Sequence, residues 1–324
     1  MPYKKPKKDA FPDEPKKKTL YTRELDDGQM KKLDAWLDSH LWAPYRVDYS
    51  AFAYKSSDVN VVAYNSGKLV VQGKGTEDFV RFVLEPEIVG AFEMGYEEVL
   101  HPEWFEPHAG VDESGKGDLF GPLVSACVIA DASAVRSWID WGLKESKRVS
   151  SDRAALEMAK KIRGTDGVVV KVSYASMEKY NALYIKFGRN LNRLLAWFHA
   201  TAITSAVSER SVEWGMLDQF TKQPLVQRQL NIPGFELKMR TKAESDPVVA
   251  AASIIARATY IYAMRDLSEK CGMQLCKGAG ANAREQAVEI VRKFGPQSLK
   301  SYAKLHFKTV SEAMEAAANP AGQS

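Results

Sequence analysis

Between Asp26 and Leu41 the apolar residues Met30, Leu33, Leu37 and Leu41 recur at helical spacing, Trp36 widens the stripe and Pro44 closes it, which predicts an amphipathic helix. The period then shortens to that of a strand. Residues 49–55, 59–64 and 68–73 are rich in Val, Tyr and Phe, and Asn65-Ser66-Gly67 between the last two is a hairpin signal. A second helix is expected over 76–84. Helices beside antiparallel strands make a small α+β unit over residues 19–90, followed by a linker rich in Pro and aromatic residues over 91–107. Beyond it, β-rich runs are expected at 109–112, 123–130, 167–174, 212–217 and 235–240. Helical patterns fall between and after them, at 176–187, 191–209, 246–267 and 283–294, with a shorter one near the end. Strands alternating with helices predict an α/β domain with a central mixed sheet over 108–316.

Composition adds limits. At 324 residues, with 45% hydrophobic and 27% charged positions, the chain has room for two cores and the make-up of a globular protein. The net charge of +4 resides in the first eighteen residues, where seven lysines face Asp9, Asp13 and Glu14. Residues 1–18 are therefore expected to be a disordered Lys-rich arm that attracts phosphates or is merely solvated, and 317–324 a frayed tail. A nucleic acid would have to be held by local basic patches on a formally neutral body. Cys127, Cys271 and Cys276 are odd in number and lack metal-ligand spacing, so neither a disulfide framework nor a zinc site is favoured. No apolar leader follows the basic start, and no apolar run of bilayer-spanning length is expected. A cytoplasmic monomer without membrane attachment is the expectation.

The chemistry concentrates in residues 110–122, Gly-Val-Asp-Glu-Ser-Gly-Lys-Gly-Asp-Leu-Phe-Gly-Pro. Asp112 and Glu113 end a predicted strand, and the glycines after them let backbone approach a ligand. Adjacent carboxylates repel unless a proton or a divalent ion sits between them, so the pair points to a hard-metal site. Asp218 likewise follows an apolar run, and Asp246 precedes a buried helix with Pro247 at its first position. Taken singly, Asp246 reads as a helix cap and Asp218 as a loop residue. Together with the pair they form a set that can converge on two divalent ions. Residues Gly110 to Lys116 also match the spacing of a phosphate-binding loop, but Gly117 stands where Ser or Thr would be needed, and two acids stand where phosphates would lie. A non-catalytic binder of nucleic acid would have little reason to cluster acids.

These motifs resemble the signature of the type 2 ribonucleases H, and the Gly115-Lys116-Gly117 form is similar to that of the ribonuclease HIII branch. Glu145-Ser146-Lys147-Arg148-Val149 resembles a family Asp-Ser-Lys-Lys-Leu segment, with Glu for Asp and Arg-Val for Lys-Leu. Asp218-Gln219-Phe220 and 242–247 resemble the third and fourth acidic motifs, so the likeness runs in order over about 108–310. The ribonuclease HII branch carries a tyrosine late in the chain that reads an RNA–DNA junction. Here Lys277-Gly278-Ala279-Gly280 offers only Ala279, which disfavours a junction ribonuclease. The resemblance implies an endoribonuclease that cuts the RNA strand of RNA/DNA hybrids. It implies two Mg²⁺ or Mn²⁺ ions, about 3.5 to 4 Å apart, on Asp112, Glu113, Asp218 and Asp246, and products with 5′-phosphate and 3′-hydroxyl ends. Gly115, Lys116 and Gly117 would contact the RNA strand at its 2′-hydroxyls, and Ser146, Lys147 and Arg148 would form a phosphate pocket. The N-terminal unit would resemble half of the TATA-binding protein fold and help hold substrate. His199 is read as a helix residue satisfied by a neighbour, and His306 has no assigned role.

Overall fold

The computed structural model describes residues 19–90, 94, 97–143 and 151–318, and the chain divides into two compact units between Pro102 and Glu103, with Asp140–Gly142 grouped with the first. The Lys-rich arm and the Ser146-Lys147-Arg148 segment lie outside the described residues, as do the tail residues after Ala318.

In the first unit β1 (Leu20–Glu24), β2 (Ala43–Pro44), β3 (Ser50–Lys55), β4 (Asn60–Tyr64) and β5 (Lys68–Gln72) form one antiparallel sheet in the order β1-β5-β4-β3-β2. Alternation sets its faces: Val61, Ala63, Leu69 and Val71 are fully buried while Val62 and Val70 are only half covered. Helix α1 (Asp27–Ser39) lays Leu33 and Leu37 on the buried face. It starts where Asp26 accepts the Gln29 N–H at 2.8 Å and the Gln29 side chain accepts the Asp26 N–H at 3.2 Å, a reciprocal cap. The predicted helix and three strands are present. Strands β1 and β2 were not predicted, because an edge strand with no fully buried residue and a two-residue strand leave no periodic signal. The expected second helix is one α-turn, α2 (Thr76–Phe79), that widens into a π-helix over Val80–Val89 around Pro86. Proline has no N–H for an α-helical bond. Short turns, α3 (Glu97–Leu100) and a 3₁₀ turn at Pro102–Phe105, occupy sequence expected to be linker.

The second unit is a five-stranded mixed sheet of β6 (His108–Ser114), β7 (Val124–Ala130), β8 (Val169–Ser173), β9 (Trp214–Asp218) and β10 (Glu236–Arg240), in the order β10-β9-β6-β7-β8. Strands β6, β9 and β10 run parallel, while β7 and β8 pair antiparallel. Around the sheet lie α4 (Ala132–Asp140), α5 (Asp152–Arg163), α6 (Met177–Lys186), α7 (Leu191–Glu209), α8 (Pro247–Cys271), α9 (Ala281–Phe294) and α10 (Lys308–Ala318). Helices α4 and α5 were not predicted, although Ala155, Ala159 and Ile162 of α5 are buried at helical spacing behind the Ser151 cap.

Strand β6 is central and covered on both faces. Ala109 and Val111 pack with Ala196, Ala200 and Ile203 of α7. Gly110 faces α8, and a Cβ there would lie 2.2 Å from the Val248 carbonyl carbon and 2.4 Å from the Val249 nitrogen. Only glycine lets this helix lie directly on the strand. Helix α8 is long and apolar enough to cross a bilayer, against the expectation of no such run, but most of it is buried against the sheet and α5.

Candidate active site

The register of the parallel strands brings two predicted acids together. Val111 on β6 pairs with Leu217 on β9, so Asp112 and Asp218 follow side by side at the carboxyl ends of neighbouring strands. Asp112 accepts the Glu113 N–H at 2.8 Å and a bond from Ser253 of α8. Burial, with Glu113 and Asp218 alongside, pushes its carboxyl up to about 7. Asp218 is held by the Ala243 N–H at 3.0 Å.

Glu113, next along β6, points to the α7 face. Its Oε1 is 3.4 Å from Lys116 Nζ and its Oε2 is 3.3 Å from Nε2 of the fully buried His199. Burial alone would raise Glu113, but His199 and Lys116 outweigh it and hold the carboxyl below its usual range. The His199 contact has ion-pair distance without good hydrogen-bond alignment, since Nε2 otherwise lacks a partner, while Nδ1 meets Ser125 Oγ at 2.7 Å. His199 was predicted to be satisfied by a neighbour. Its neighbours are Ser125 and Glu113, which ties it to the acidic site. Lys116 Nζ also lies 5.3 Å from the centre of the Phe220 ring.

Asp246 is placed elsewhere. It is fully buried at the start of α8, where its Oδ1 accepts the Val248 N–H at 2.8 Å. Its two oxygens lie 3.2 and 3.1 Å from His108 Nε2, and His108 Nδ1 lies 2.6 Å from the Glu106 carbonyl. Both ring nitrogens of His108 thus face oxygen atoms, one of a carbonyl and one of a carboxyl group. Trp214 stacks on this ring at 4.3 Å. His108 begins β6 and Asp112 is four residues on, about 13 Å along a strand at about 3.3 Å per residue. Helix α8 runs alongside in the same direction, with Asp246 by His108 and Ser253 by Asp112. The structure thus joins Asp112, Glu113 and Asp218 and separates Asp246 from them by most of a strand. Glu244 follows directly on Ala243, whose N–H binds Asp218, and is half-buried on the 3₁₀ turn Ala243–Ser245. Nothing in the sequence singled out Glu244, because Asp246 carried the clearer cap signal.

The oxygen-only donor set suits a hard divalent cation, which offsets the burial and the neighbouring carboxylates that raise Asp112. Among the described residues no three His, Cys, Asp or Glu groups already stand at the coordination distance of one ion. Glu113 would have to turn from Lys116 and His199 to join.

The glycine loop follows directly. Gly115 has φ +82°, and a Cβ there would lie 2.3 Å from the Pro122 carbonyl oxygen and 2.7 Å from the Tyr260 ring, so the turn requires glycine. It sets Lys116 and Gly117 beside the carboxylates.

The sequence pattern of the family described as "Ribonuclease HII" matches residues 109–310, and "Domain of unknown function (DUF3378)" matches residues 24–91. A "Ribonuclease HIII" from Chlamydia muridarum is 40% identical over 271 residues, covering 82% of this chain and 87% of its own. One from Protochlamydia amoebophila is 37% identical over 265 residues, covering 81% and 86%. The chain belongs to the ribonuclease HIII family. It is therefore a hydrolase of the ribonuclease H class. Among solved ribonucleases HIII, "Bst-RNase HIII in complex with Mn2+" superimposes with a TM-score of 0.64 at 30% identity, covering 92% of this chain and 99% of that one. The Aquifex aeolicus RNase H3 gives 0.53 at 25% identity, covering 89% and 100%. A ribonuclease HIII solved with Mn²⁺ agrees with the hard-metal character of the carboxylates.

Proposed function

We propose that this chain is an endoribonuclease that hydrolyses the RNA strand of RNA/DNA hybrids. The observation that carries the reading is the pairing of Asp112 and Asp218 at adjacent strand ends, with Glu113 beside them and the Gly115-Lys116-Gly117 turn next in sequence. Asp112, Glu113 and Asp218 would hold divalent ions, Mg²⁺ or Mn²⁺, and Glu244 takes the fourth acidic place that the sequence suggested for Asp246. Bound there, two such ions supply Lewis acidity to the scissile phosphate and an activated water. Lys116, with a side chain 35% exposed, supplies a cation for a phosphate of the bound strand. The backbone of the turn approaches the ribose 2′-hydroxyl, the group that separates RNA from DNA at this place. His199 holds Glu113 until the carboxyl turns to a bound ion. Hydrolysis breaks the P–O3′ bond and leaves a 3′-hydroxyl and a 5′-phosphate.

The test is hybrid cleavage in Mg²⁺ or Mn²⁺ by the wild type and by Asp112→Asn, with product ends mapped. Metal-dependent internal cuts by the wild type and loss of cutting in the variant are expected. A wild type that leaves hybrids intact, or equal rates for both proteins, overturns the reading.

A further inference from the structure

Among the described residues, Lys304 is the lysine that ranks with the largest fully buried side chains, and the chemistry above makes no use of it. Its Nζ donates to the Asp118 carbonyl at 2.7 Å and to the Gly121 carbonyl at 2.5 Å. Its own N–H donates to the Leu119 carbonyl at 2.9 Å, and the Tyr260 hydroxyl donates to the Phe120 carbonyl at 3.2 Å. Four consecutive carbonyls of the segment after Gly117 are thus each held from below. The amide side is held as well: Leu119 N–H donates to the Gly278 carbonyl at 2.9 Å, and Gly121 N–H to the Tyr302 carbonyl at 3.3 Å. Lys304 is anchored in turn by Asn181. The Asn181 side-chain nitrogen donates to the carbonyls of Lys300 and Ala303 at 3.1 and 3.0 Å, and its oxygen accepts the Leu305 N–H at 2.9 Å.

Burying an ammonium without a carboxylate bonded to it is costly, and burial pushes Lys304 down to about 7 despite Asp118 nearby. A methionine would fill the same space without that cost. What methionine cannot do is donate to two carbonyls of one turn.

We propose that Lys304 is a positioning residue for ribose recognition, fixing the Asp118–Gly121 backbone so that Lys116 and Gly117 meet the RNA strand in one conformation. The inference rests on the hybrid-cleaving function proposed above. Pre-organising a binding loop improves affinity by removing ordering costs at binding, so loss of the clamp affects ground-state and transition-state binding alike.

The test compares wild type, Lys304→Met and Tyr260→Phe as full-length chains, after thermal melts show each folded at the assay temperature. KM and kcat are measured on an RNA/DNA hybrid, and affinity for DNA duplex of the same sequence by competition. Lys304→Met is expected to raise KM about tenfold with kcat within about threefold, and to bind DNA duplex as the wild type does, so that ribose preference falls. Tyr260→Phe, which removes the bond to the Phe120 carbonyl and the contact with the Asp118 side chain, is expected to move KM the same way by a smaller factor. If Lys304→Met does not fold, Tyr260→Phe decides alone. Unchanged KM in the folded variants overturns the clamp while the hybrid-cleaving reading stands. Equal weakening on hybrid and DNA duplex also overturns it, as a general loss of structure. A wild type that does not cut hybrids removes the basis for both.

Discussion

The two ends of strand β6 each bury carboxylates and have opposite electrostatics. At the His108 end, Asp246 has an imidazole bonded to its oxygens and the N-terminus of α8 beneath it. At the other end, Asp112 has Glu113 and Asp218 beside it, and its carboxyl is pushed up to about 7. One end is complete in itself. At the other, Lys116 lies on Glu113, and Asp112 becomes stable in ionised form when a further cation is added. A buried acid at a helix start is therefore weak evidence for catalysis, whereas an acid raised by burial and by neighbouring carboxylates is strong evidence.

This contrast breaks most visibly at Asp112. Asp112→Asn is expected to lower kcat on hybrids on the order of 10³-fold, while a melt without metal shows equal or higher stability because the like-charge crowding is relieved. Addition of Mn²⁺ should raise the melting temperature of the wild type and leave that of the variant nearly unmoved. Asp246→Asn is expected to do the opposite, costing about 3 kcal/mol in denaturant titration by removing the carboxyl group that faces the buried His108, with kcat within about threefold of wild type. If it abolishes cleavage at full stability, the separation of the two ends is refuted. Glu244→Gln sharpens the same point, with an expected loss in kcat of about tenfold or more and little change in stability.

The most gradual effect expected is in the pH dependence of folding. The Lys304 ammonium titrates near 7 in the folded chain and at 10.5 when unperturbed, so between these values the unfolded chain binds more protons. Its contribution to stability should rise with pH through that window, by up to about 1 kcal/mol per pH unit, and be flat below about 7. Denaturant titrations of Lys304→Met across the window should lack this slope.

Most of the second unit was legible because its strands and helices carry the periods of buried elements. Val111 beside Asp112, Leu217 beside Asp218 and the stripe of Leu194, Phe198 and Ala202 are examples. The pair Asp112 and Asp218 was legible too, since each ends an apolar run. The true surroundings of Asp246 were not, because they depend on His108, 138 residues away in sequence. Nor was the link of His199 to Glu113, where a histidine in an apolar stripe looked like any core residue. The clamp from Lys304 left no local signal, since a lysine in Ala303-Lys304-Leu305 reads as solvated until its burial is known.

The close seating of α8 on β6 at Gly110 has a consequence for chain length. Seven helical residues from Asp246 to Ser253 rise about 10 Å, while four strand residues from His108 to Asp112 advance about 13 Å, so helix and strand act as two rulers read at both ends. Adding or deleting a single residue in that helical stretch would turn everything after it by about 100°. Ser253 would then leave Asp112, or Asp246 would leave His108. The stretch should accept substitutions far more readily than insertions or deletions.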